Sequence, residues 1–75
     1  MALTIFEKKA LNICREEFEE AEAELLPLIS KELGISINQV KGVVGSLAKK
    51  GLIIFGEVNG EKTIIYNGEV ELWYH

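Results

Sequence analysis

The hydrophobic pattern of this chain changes period at Gly51, and that switch constrains the fold more than any other feature. Before Gly51 the apolar residues recur every three or four positions, the period of a helix with one buried stripe. After it, Leu52–Val58 is rich in β-branched and aromatic residues and is followed by Asn59-Gly60, the strongest two-residue hairpin signal. A chain of 75 residues has room for one domain, residues 1–75, and for a single small core. The pattern therefore predicts an α+β domain, helical first and stranded last.

The clearest helix begins at Ser36. Ser36-Ile37-Asn38-Gln39 has the capping-box form, in which a hydroxyl caps the first turn and a Gln three residues on reaches back. Behind it Ile37, Val40, Val43, Val44 and Leu47 form one apolar stripe, and Gly51 supplies the stop. This predicts a third helix over about 37–50. Thr4-Ile5-Phe6-Glu7 is a second capping box. The stripe Phe6, Ala10, Ile13, Cys14 predicts a first helix over about 5–20, with no stop signal between Glu19 and Glu24. Pro27 suits a first turn, so a short second helix is expected over about 26–33, closed by Gly34. Strands are expected over about 52–58, 62–66 and 69–74. The last rests on Val70, Leu72 and Tyr74 alternating with polar residues after a second Asn-Gly pair at Asn67-Gly68. The C-terminal part then reads as an antiparallel β-hairpin or a three-stranded meander.

Charge is segregated along the chain. Residues 7–24 hold seven Glu against Lys8, Lys9 and Arg15; residues 36–50 hold Lys41, Lys49 and Lys50 and no acid; residues 57–71 hold four Glu against Lys62. The formal net charge is −4, so any grip on nucleic acid must come from the basic middle.

Ile29-Ser30-Lys31-Glu32-Leu33-Gly34-Ile35-Ser36, then Val40, Val43, Val44 and Leu47, then Lys49-Lys50-Gly51-Leu52-Ile53 resembles the pattern of MarR-like and related bacterial, archaeal and phage winged helix-turn-helix regulators. The resemblance covers roughly residues 4–66. It implies that the third helix is a recognition helix for the major groove of double-stranded DNA and that Asn59-Gly60 tips a wing on the adjacent backbone. Its outward positions would be Ser36, Asn38, Gln39, Lys41, Gly42, Gly45, Ser46 and Lys49. Asn and Gln can pair with adenine edges, and Lys can reach guanine or phosphate. Lys41, Lys49 and Lys50 would serve as phosphate contacts, with Lys62 as the wing's only cation.

Two features depart from the regulator pattern. Gly42 and Gly45 stand where base-reading side chains are expected, and Glu57 and Glu61 flank the wing lysine. A single copy is then expected to bind weakly and with strong salt dependence, so that tight binding calls for a homodimer. The rival reading is a winged-helix protein–protein interaction module that uses the same face or an exposed edge around Trp73. The segment Ser46–Gly51 also resembles the end of the recognition helix in domains that bind Z-form nucleic acid. The Tyr, Asn and Pro-Trp those domains use are absent, and that activity is rejected.

Catalytic readings find little support. His75 is the last residue and the only His, Cys14 falls on an apolar stripe, and no CxxC, HxxxH or phosphate-cradling loop occurs. The expectation is no enzyme, no metal or other cofactor, and no small-molecule site. No apolar run approaches the ~20 residues of a membrane span and no secretory signal is visible, and a lone Cys fits a reducing compartment; a cytoplasmic protein is expected.

Overall fold

Thr4 starts the first helix by the box its sequence announces. Its hydroxyl accepts the Glu7 N–H at 3.1 Å and the Glu7 carboxylate accepts the Thr4 N–H at 2.8 Å. A computed structural model describes residues 3–71, and in it this helix, α1, spans Ile5–Glu17 with Ala10, Leu11 and Cys14 buried. It ends three residues before the expected Glu20. Phe18 takes φ 62° and ψ −55°, donates its N–H to the Cys14 carbonyl, and turns the chain out of the helix. Positive φ at an aromatic residue is a costly conformation. Two contacts hold it: the Tyr66 N–H donates to the Phe18 carbonyl at 2.7 Å, and the two rings meet edge to face with centroids 6.5 Å apart.

The turn at Phe18 makes a strand that sequence periodicity did not show. Residues Glu19–Ala21 form β1 and pair with a later strand, Glu19 opposite Ile65 and Ala21 opposite Thr63. The second helix, α2, then spans Glu22–Leu33 rather than starting at 26. Pro27 lies inside it. Its missing N–H would have bonded the Ala23 carbonyl, and both residues are on the exposed face. Leu25, Leu26 and Ile29 are buried. Gly34, at φ 68°, ends α2 in the left-handed form, and the Gly34 and Ile35 N–H groups both donate to the Ser30 carbonyl.

Helix α3 spans Ile37–Lys49 with the predicted capping box in place at Ser36 and Gln39. Strands β2, Ile53–Val58, and β3, Glu61–Tyr66, form the expected hairpin. Asn59 and Gly60 have φ of 53° and 82°, the two positive values of a type I′ turn. The register runs one to one from Val58 opposite Glu61 to Ile53 opposite Tyr66.

The sheet has three antiparallel strands in the order β1-β3-β2. The third strand thus comes from the α1–α2 connection, and residues 69–71, the described part of the expected last strand, are not in the sheet. Gly68–Glu71 is instead a helical turn, α4, with Val70 packed on the core beside Gly51. Leu72, Trp73, Tyr74 and His75 lie outside the described residues. Asn67 fixes the hairpin's root: its N–H donates to the Leu52 carbonyl at 2.9 Å and its side-chain amide to the Gly51 carbonyl at 3.1 Å.

One core joins these parts. Ala10, Leu11 and Cys14 from α1, Leu25, Leu26 and Ile29 from α2, Val40, Val44 and Leu47 from α3, and Leu52, Ile53 and Ile64 pack together. Leu47 is fully buried there, and its truncation to Ala would cost about 2–5 kcal/mol. The result is an α+β fold whose layout, three helices followed by a hairpin, is compatible with a winged helix-turn-helix.

Candidate nucleic-acid interface

The buried stripe of α3 fixes what its other side presents. Val40, Val44 and Leu47 face the core, so helical spacing sets Asn38, Gly42, Gly45 and Lys49 in one row directly opposite, with Lys41 beside it. Asn38, Lys41, Gly42 and Lys49 are exposed and Gly45 is half-buried. The row has polar side chains at its ends and bare backbone between. A Cβ added at Gly42 or Gly45 would meet nothing within 4 Å, so packing within the chain does not require either glycine.

Ser36 and Gln39 are exposed, and both are occupied in the capping box. The Ser36 hydroxyl accepts the Gln39 N–H at 3.2 Å and the Gln39 side-chain oxygen accepts the Ser36 N–H at 2.9 Å.

Ser46 is expected to face outward and Lys50 to reach a phosphate. Both turn toward the start of α1, where the Glu7 carboxylate takes the Ser46 hydroxyl at 2.6 Å and the Lys50 ammonium at 2.5 Å. The Lys50 side chain is 15 % exposed and that of Glu7 5 %. Burial pushes the Glu7 carboxyl up. The Lys50 and Ser46 side chains and the Thr4 N–H bind the charged form more strongly and hold it at about 2. Lys50 is therefore a neutralised tie between helices. The sequence carried a signal for this: Val43, Ser46 and Lys50 follow at i, i+3 and i+7, a row bordering the apolar stripe. The same side of α3 borders an open groove to which Phe6, Ile35, Gln39, Gly42 and Val43 contribute.

The hairpin presents mixed charge. Lys62 is exposed and lies directly across the strands from Glu57. On the β1 side of the sheet, Glu19, Glu20 and Glu61 line an open depression with Thr63. Glu20, by its charge and a hydrogen bond, and Glu61, by its charge, raise the nearby Glu24 carboxyl. The exposed cations of α3 and the hairpin are thus Lys41 and Lys49 on α3 and Lys62 on β3.

Cys14 is buried, and burial pushes its thiol up to about 11, away from nucleophilic reactivity. Among the described residues no group of three or more His, Cys, Asp or Glu is placed to hold a metal ion, and no helix is long and apolar enough to cross a membrane. No protein-family model matches the chain, and no curated protein matches its sequence.

Proposed function

We propose that the chain is a small DNA-binding transcriptional regulator that sets α3 in the major groove and its hairpin against the flanking backbone. One observation carries this reading. The solvent face of α3 bears Asn38, Lys41 and Lys49, and no carboxylate occurs from Leu33 through Gly56. A helix with one sunk flank and one uncharged-to-basic flank is the form a major groove accepts. Asn38 suits an adenine edge, while Lys41 and Lys49 suit guanine or phosphate. On this reading the protein works in the cytoplasm.

Lys41, Lys49 and Lys62 neutralise three phosphates per copy on this reading. The logarithm of the affinity then falls by about 2.7 per tenfold rise in salt. Titration of labelled duplex at low and moderate salt tests it. Lys41→Ala or Lys49→Ala should each flatten the slope by about 0.9. Absence of binding at low salt removes the reading and leaves the protein–protein interaction module. One feature favours that second reading: the outer strand of the hairpin exposes Ile54 and Phe55, each close to half of its surface.

A further inference from the structure

β2 is an edge strand without the usual protection. Among the described residues it pairs only with β3, and no backbone hydrogen bond from a loop or helix reaches Ile53–Val58. It carries no Lys, no Pro and no bulge, and Glu57 is its only charge. Ile54, Phe55 and Val58 are exposed at 49 %, 47 % and 36 %. The type I′ turn makes Val58 and Glu61 a hydrogen-bonded pair, so the N–H and C=O groups of Ile54, Gly56 and Val58 point to β3. Those of Ile53, Phe55 and Glu57 point outward.

We infer that β2 pairs antiparallel with β2 of a second copy about a two-fold axis at Gly56, joining two three-stranded sheets into one. The inference stands apart from the DNA reading. The register follows from the side chains. Centring on Glu57 sets two carboxylates face to face, which is unfavourable. Centring on Phe55 sets Glu57 against Ile53, which is buried. Centring on Gly56 sets Ile54 against Val58 of the second copy, twice, and covers both apolar side chains on one face. It sets Phe55 against Glu57 of the second copy, so the outward backbone groups of those residues bond each other and the two Phe55 rings become diagonal neighbours. Gly56 meets Gly56 at the axis, where strands approach most closely. The pairing is isologous and closes as a dimer.

Sedimentation and light scattering of the full chain should show a mass rising to twice the monomer's with concentration, and Phe55→Lys should hold it at the monomer mass. The double variant Ile54→Cys/Val58→Cys should form a covalent dimer under mild oxidation. Opposed residues of a non-hydrogen-bonded pair have Cα atoms about 4.5 Å apart, within disulfide reach. Within one chain those positions lie too far apart along the strand to join. Either cysteine alone should give no dimer, and buried Cys14 does not compete. A monomer at every concentration, as when the chain's own residues cover the strand, overturns the inference. So does a dimer that neither Phe55→Lys weakens nor the cysteine pair captures, or one captured by Ile54→Cys alone. The crosslink stands as a test even where Phe55→Lys fails to fold.

Discussion

The Glu7 carboxylate at the start of α1 holds the Lys50 ammonium at the end of α3 at 2.5 Å, 43 residues along the chain. The same carboxylate caps its own helix through the Thr4 N–H. One side chain thus serves a local cap and a link between helices. The folded carboxyl titrates at about 2 against an ordinary 4.5. Its folded value lies below its unfolded one, so the stabilisation is complete above about 4.5 and is lost as pH falls through 2. Acid unfolding followed by circular dichroism should show stability declining through that window. Glu7→Gln should flatten the decline and lower stability by roughly 3 kcal/mol at neutral pH, since it leaves Lys50 without its counter-charge.

Lys49 and Lys50 are neighbours in sequence, one exposed and the other tied to Glu7, and two measurements separate the roles proposed for them. Lys49 is exposed. Lys49→Ala should change stability by less than about 0.5 kcal/mol and flatten the salt dependence of DNA binding. Lys50→Ala should lower the thermal midpoint by stranding the Glu7 charge, and leave the salt slope as it was.

Gly42 and Gly45 have open space where a Cβ would stand. Each alanine should therefore stabilise α3 by up to about 1 kcal/mol, raising the thermal midpoint by roughly 4–8 °C for a domain this small. If the bare stretch exists to bring α3 close to a DNA backbone, the same alanines will weaken duplex binding while the midpoint rises. Equal gains in stability with unchanged binding would remove that role.

Cys14 is 2 % exposed and its thiol stands at about 11. A thiol reagent at pH 8 should leave the folded chain unmodified for as long as it stays folded, and should label it at once in denaturant. The slow labelling rate in native buffer reads the opening of the α1 packing.

The sequence made α3 and the hairpin legible because each carries its own stop and start signals. The Ser36–Gln39 box, the stripe to Leu47, Gly51 and Asn59-Gly60 all act within a few residues. The parts it hid are set by distant partners. Glu19-Glu20-Ala21 has no strand preference, and becomes β1 because Phe18 breaks the helix and β3 offers an edge. Pro27 suggested a start for α2 near 26, while exposure of Ala23 and Pro27 lets the helix begin four residues earlier. The alternation around Val70 suggested a strand, but the edge it would need is already filled. At the candidate interface, Asn38, Lys41 and Lys49 were readable from the helical period. The inward turn of Ser46 and Lys50 depended on Glu7, whose role as a cap concealed its second one.

Asn67 grips the carbonyls of both Gly51 and Leu52, and so ties the root of the hairpin to the exit of α3. The two cannot hinge apart at the root without breaking those bonds. The pair would therefore meet any partner they share as one fixed jaw.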